Sequence, residues 1–271
     1  MGVVACVGRR HPLVGISPPV RDRRAALDSF DIVEGLVIKG GHNVEVLNGI
    51  SLHGGLTMSR VSETITSKMT AETLLDHWRV FGFPDYAQFD NDTIFQGAHQ
   101  WPDSFGRVTR MCLQLEITPV FAPPRETGFQ ASIESYNGRW QSKVWSRFTY
   151  ASRKDLARQS DRYVAACHQR SASRIESAPT RWEIPADWKL DLSKPLAGTV
   201  IFIRRTDNRG HVKLLGHDYE VSSQWCNRLV RCNVDLTKDR IRIYQLRRRT
   251  PTKQPLLKTI KYKIPKKRFR E

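Results

Sequence analysis

From Ser29 onward the chain alternates apolar and polar positions in three runs, Phe30 to Ile38, Val44 to Ser51 and Leu56 to Ser62. That period suits half-buried strands, and the turn residues Gly40, Gly41, His42 and Asn43 join the first two runs, so an antiparallel meander is predicted. The period then changes. Ala71, Leu74, Leu75, Trp78 and Phe81 recur at helical spacing, and Gly82 and Pro84 supply a stop. A short strand, Tyr86 to Asp90, precedes a second helix marked by Phe105, Val108, Met111, Cys112 and Leu115, and Ile117 to Phe121 reads as another strand. Beyond Pro123, Pro124 and a loop holding Gly128, the residues Ile133, Tyr136, Trp140, Val144 and Phe148 mark one face of a third helix. Strands alternating with helices imply parallel crossovers added to the meander, which gives an α/β fold with a mixed five-stranded sheet and flanking helices.

Residues 152–176 read as a further, charged helix, and Pro179 to Pro195 as a linker. Five short β runs come next: Thr199 to Thr206, His211 to Leu215, Tyr219 to Ser222, Leu229 to Thr237 and Arg240 to Leu246. Their spacing predicts a small all-β barrel. The predicted organisation is therefore a basic disordered arm at 1–24, a core at 25–150, a helical connector and linker at 151–196, a barrel at 197–246 and a basic tail at 247–271. Prolines at 251, 255 and 265 argue against regular structure in that tail, and no apolar period supports an element in the arm.

Charge divides the chain in two. The net +17 arises because residues 151–271 carry 29 Lys or Arg against 12 Asp or Glu, whereas residues 25–150 carry 10 against 14. A basic half of that size repels itself unless it meets a polyanion, and release of condensed counterions makes nucleic acid the favoured partner. No apolar run reaches the roughly 20 residues of a membrane span. Neither a signal peptide nor an amphipathic basic helix is evident, so no membrane partner is expected and the chain is placed in the cytoplasm, with the nucleoid. Five cysteines without a CxxC pair argue against both a disulfide framework and a thiolate zinc site.

Acids in the first half oppose the phosphate that the second half attracts, and divalent metal reconciles the two. Carboxylate oxygens hold magnesium or manganese, and two such ions can activate an attacking oxygen and stabilise a leaving one at a phosphodiester. Asp31 on the first strand, Asp90 at the end of the fourth and Glu134 on the third helix fall at suitable places.

Phe89-Asp90-Asn91-Asp92-Thr93-Ile94-Phe95 resembles the "DNG..F" segment of retroviral-integrase-type transposases, including those of bacterial insertion sequences. Pro123-Pro124 through Gly128 to Glu134-Ser135-Tyr136-Asn137 resembles their "sPp…nG..E..N" segment, and Ser29-Phe30-Asp31 opens the meander in the matching order. The resemblance covers about residues 28–150, and more loosely the barrel, which is similar to the family's SH3-like DNA-binding domain. It implies a ribonuclease-H-like core with two magnesium (or manganese) ions held by Asp31, Asp90 and Glu134. It further implies DNA cleavage and strand transfer by in-line attack of a 3′-hydroxyl or water, with transposon ends and target DNA as partners and a homo-oligomer bridging two ends. Asn137 matches the family's Asn and is expected to face DNA.

Several positions depart from the pattern. Asp92 replaces a usual Gly. Gly138 and Gln141 stand where retroviral members present lysines, which shifts the expected DNA contact to Arg139 and Lys143. Arg204 and Arg205 on the first barrel run and the cluster Arg247, Arg248, Arg249 complete the expected phosphate contacts. Asp31 comes too early for an upstream helix-turn-helix, so the chain reads as lacking that region. A catalytically decayed fragment that only binds DNA, and a nuclease of the same fold, therefore stand as alternatives.

Overall fold

A computed structural model describes residues 20, 22–126, 128–247, 250, 253–265 and 269. Its first three strands, β1 (Leu27–Ile38), β2 (His42–Ser51) and β3 (Thr57–Ser62), form the antiparallel meander. Helix α1 (Ser67–Phe81) begins where the Thr66 side chain accepts a hydrogen bond from the Met69 N–H and ends at Gly82, whose φ of 75° suits glycine. Strand β4 (Tyr86–Phe89) returns parallel to β1, and the short α2 (Thr93–Gln96) and α3 (Arg107–Gln114) lead to β5 (Thr118–Phe121), parallel to β4. Then come α4 (Ala131–Lys143), α5 (Arg153–Arg170) and α6 (Ala172–Glu176).

The C-terminal part is all β: β6 (Thr199–Arg205), β7 (His211–Leu214), β8 (His217–Glu220), β9 (Leu229–Asp235), β10 (Arg240–Gln245) and β11 (Leu256–Lys261). The order β3-β2-β1-β4-β5, with two parallel strands added to a meander, is the mixed five-stranded sheet the sequence predicts. The C-terminal strands are joined directly to it. Strand β6 pairs in parallel with β5 through Val120 with Ile201 and Phe121 with Phe202, so the sheet runs on as β5-β6-β9-β10-β11 to nine strands, with β7–β8 a separate hairpin. One apolar core joins Phe30, Trp78, Phe89 and Phe121 to Phe202, Val230 and Ile241. Burial of that shared surface holds the C-terminal strands on the edge that β5 would otherwise leave open.

Three expectations are corrected. The tail contains β11, because Pro255 and Pro265 bracket the strand and leave its interior free to pair with β10. The third helix stops at Lys143; Val144 is buried on the other side of the sheet with Trp140 and Tyr150, a 3-10 turn comes next at Trp145–Arg147, and Phe148 is exposed. In the arm, Val20 is fully buried against Ala25 and Leu27, while residues 1–19 and 21 lie outside the described residues.

Candidate active site

Alternation along β1 sends Phe30 into the main core and Asp31 to the opposite face, beneath α4. The same holds on β4, where Phe89 is in the core. Ser29 pairs with Gln88 across these parallel strands, and the Ser29 hydroxyl donates to Gln88 Oε1 at 3.1 Å. Two residues further along that face come Asp31 and Asp90. Sheet register therefore aligns two acids that lie 59 residues apart in sequence.

A transverse row of polar residues continues from Asp31. Asn48 is its partner on β2, and Ser59 is the partner of Asn48 on β3. Above them, the Asn137 amide donates to Asp31 Oδ2 at 2.7 Å and accepts from Asn48 Nδ2 at 2.8 Å. The Ser59 hydroxyl donates to Asn48 Oδ1 at 2.6 Å and lies 2.9 Å from the Tyr136 hydroxyl. Asn48 is fully buried, so each bond spares a polar group an unsatisfied burial and fixes the Asp31 carboxylate. The Asn137 amide is thus engaged inside the protein by both its oxygen and its nitrogen.

Glu134 occupies an exposed position in the first turn of α4, one turn before Asn137. Electrostatics link the three acids. Burial first, then the Asp90 charge and, less strongly, the Glu134 charge together raise the Asp31 carboxyl to about 6 against the lowering effect of the Ile32 N–H and the Asn137 amide. Asp90 is raised by burial and by its neighbours Asp92 and Glu34, despite a 3.0 Å hydrogen bond from the Asp92 N–H. Glu34 thus adds a fifth negative charge beside Asp92; the register shift of β1 between Val33 and Leu36 is the local signal for it. Asp92 caps α2 by accepting from the Ile94 N–H at 2.7 Å. Asp28 lies on the opposite face of β1 from Asp31. It is buried on the core side, and although burial would raise its carboxyl, the Arg181 guanidinium holds it below the usual range through bonds of 2.9 and 2.7 Å.

Among the described residues, no group of three or more His, Cys, Asp or Glu side chains is drawn together closely enough to hold a metal ion. The donor chemistry nonetheless fits a hard divalent cation: all the donors are carboxylate oxygens, and their mutual repulsion is what such a charge would relieve.

The other expected contacts fall in different places. Arg139 and Lys143 are exposed on α4 but lie about 140° and 180° around the helix from Glu134. Arg204 turns inward to the carbonyls of Ile203 and Ala122, and burial pushes its guanidinium down to about 10. Arg205 pairs with Glu126. Arg247 is exposed, bonds Gln245 and covers the Trp225 ring at 5.5 Å; Arg248 and Arg249 lie outside the described residues. Sequence reading missed Asn48 and Ser59, for which only their polarity inside apolar strands gives a signal.

No protein-family model and no curated protein matches the chain. Among solved structures, the simian T-cell lymphotropic virus intasome in complex with PP2A regulatory subunit B56 gamma is similar at 13% identity and a TM-score of 0.41, over 76% of this chain and 68% of that one. The catalytic core domain of BIV integrase is similar at 14% identity and a TM-score of 0.38, over 49% of this chain and 79% of that one. For the HTLV-2 integrase catalytic core domain in complex with magnesium, in its dimeric form, the values are 12% and 0.34, over 56% and 81%. Among the described residues no helix is long and apolar enough to cross a membrane.

Proposed function

We propose that the chain is a metal-dependent polynucleotidyl transferase of the integrase type, cutting DNA and joining its 3′ ends to a second DNA by in-line attack on phosphodiesters. One observation carries the reading. Asp31 and Asp90 each come two residues after a registered pair on adjacent parallel strands, with Glu134 on the helix above, and the charges of Asp90 and Glu134 both raise the Asp31 carboxyl. Magnesium or manganese, as a pair of ions held by Asp31, Asp90 and Glu134, would activate the attacking oxygen and neutralise charge on the leaving one.

The protein's own share is positioning. Asn137 and Asn48 hold Asp31 in one orientation, and the Asp92 N–H orients Asp90. The Asn91 amide ties that strand end to the Ala122 carbonyl at 2.6 Å. Gly128, at φ 83° with open space about its Cα, lets the loop before α4 take a turn that a side chain would strain. DNA and further copies of this chain are the proposed partners. The test is nicking of supercoiled plasmid in magnesium, together with joining of a labelled 3′-hydroxyl oligonucleotide. Both activities should vanish in Asp90→Asn and Glu134→Gln with DNA binding intact. Joining retained by either variant would refute the assignment, and hydrolysis without joining would place the protein among nucleases.

A further inference from the structure

Behind α4, on the side away from Glu134, lies a concavity of about 630 Å³ between α4, α5 and the start of α6. Arg139 and Lys143 enter it from α4, Arg147 from the 3-10 turn after that helix, Arg162 and Arg170 from α5, and Arg174 from α6. No carboxylate lines it among the described residues, and Tyr136 and Tyr163 supply aromatic wall. Arg158 and Arg153, also on α5, pair with Asp155 and Glu63, yet among the described residues none of the six cations in the concavity has a carboxylate partner within 4.0 Å.

Local structure accounts for only part of this. Arg170 and Arg174 suit the negative ends of their helices, and Arg170 also covers the Tyr163 ring at 6.0 Å. Arg139 and Arg162 occupy mid-helix positions where no dipole favours them. Six converging cations repel one another, and an anion of matching extent would relieve that repulsion. Arg162 and Arg170, eight positions apart on α5, span about 12 Å, over which one strand of a duplex presents three to four phosphates.

We infer that this face grips the phosphodiester backbone of a DNA duplex segment other than the one at the carboxylates. The inference rests on the DNA-joining function proposed above, since joining requires two DNA segments held at once. It also gives Arg139 and Lys143 a DNA role, on the face opposite to the one the Glu134 motif implies.

The test is duplex binding by the full chain across a salt series without divalent metal, so that catalysis plays no part. In the quadruple variant Arg139→Gln, Lys143→Gln, Arg162→Gln, Arg174→Gln, the slope of log affinity against log salt should fall by about three to four, and affinity at 0.1 M salt by at least about tenfold. The Arg→Lys set at 139, 162 and 174 should keep the wild-type slope. In the wild-type protein, where folding is not at issue, bound duplex should protect Lys143 from acylation. An unchanged slope, or no protection of Lys143, overturns the inference. So does loss of inorganic tripolyphosphate binding with duplex affinity retained, which would assign the face to a compact polyanion. Active Asp90→Asn or Glu134→Gln variants would instead refute the catalytic reading and leave this slope untouched.

Discussion

The two sides of α4 do opposite things with charge. Toward the sheet, Asn137 reaches a half-buried carboxylate that its neighbours repel; away from it, Arg139 and Lys143 enter a concavity whose cations have no carboxylate partner among the described residues. Chemistry needs a few acids desolvated and fixed, whereas holding a polyanion needs many cations exposed, and one amphipathic helix keeps the two requirements apart. Tyr136 stands between them. It lines the basic concavity while its hydroxyl meets Ser59, which bonds Asn48 in the row that ends at Asp31.

Breaking the acid side should have the largest effect. Asp90→Asn is expected to lower magnesium-dependent nicking about a thousandfold or more, since metal stabilisation of developing charge is worth several kcal/mol, with the salt slope of DNA binding unchanged. Next in size is the contrast of Asp28 with Asp31, three positions apart on β1. Asp28 is neutralised by Arg181, whose side chain is only 10% exposed, so Arg181→Met leaves a buried carboxylate without its counter-charge, held by the Trp78 indole N–H. It should cost about 3–5 kcal/mol in urea unfolding.

Asp31 should show the opposite sign. Folding raises its carboxyl from 3.8 to about 6, so its contribution to stability is fully present below about pH 4 and lost as pH rises through about 6. Asp31→Asn should accordingly stabilise the metal-free protein by about 3 kcal/mol at pH 7.5 and by little at pH 4, in the same unfolding assay. The smallest effect is expected from Ser59→Ala. Removing the far end of the polar row should cost about 1 kcal/mol without altering the salt slope.

The sheet core was legible because its strands and helices carry their own periods. Trp78, Trp140 and Phe121 are buried where the apolar pattern places them. The motifs around Asp90 and Glu134 named candidate acids, though the alignment of Asp31 with Asp90 depends on the Ser29–Gln88 register, a non-local fact. Strand β11 was hidden by its flanking prolines, which mark boundaries as readily as they forbid strands. The pairing of β6 with β5 was hidden because two registered residue pairs across some 80 positions leave no local trace. The basic concavity was half visible: Arg139 and Lys143 stood out in sequence, but only packing of α4 against α5 adds Arg162 and Arg170 to them.

Carbon-13 titration of the Asp31 carboxyl, in the wild type and in Asp90→Asn, addresses the convergence of the acids without any DNA. The wild-type midpoint should lie near 6, move down when Asp90 loses its charge, and move down again in the wild type when magnesium is added. A midpoint in the ordinary carboxylate range that neither the substitution nor magnesium displaces would contradict a shared site.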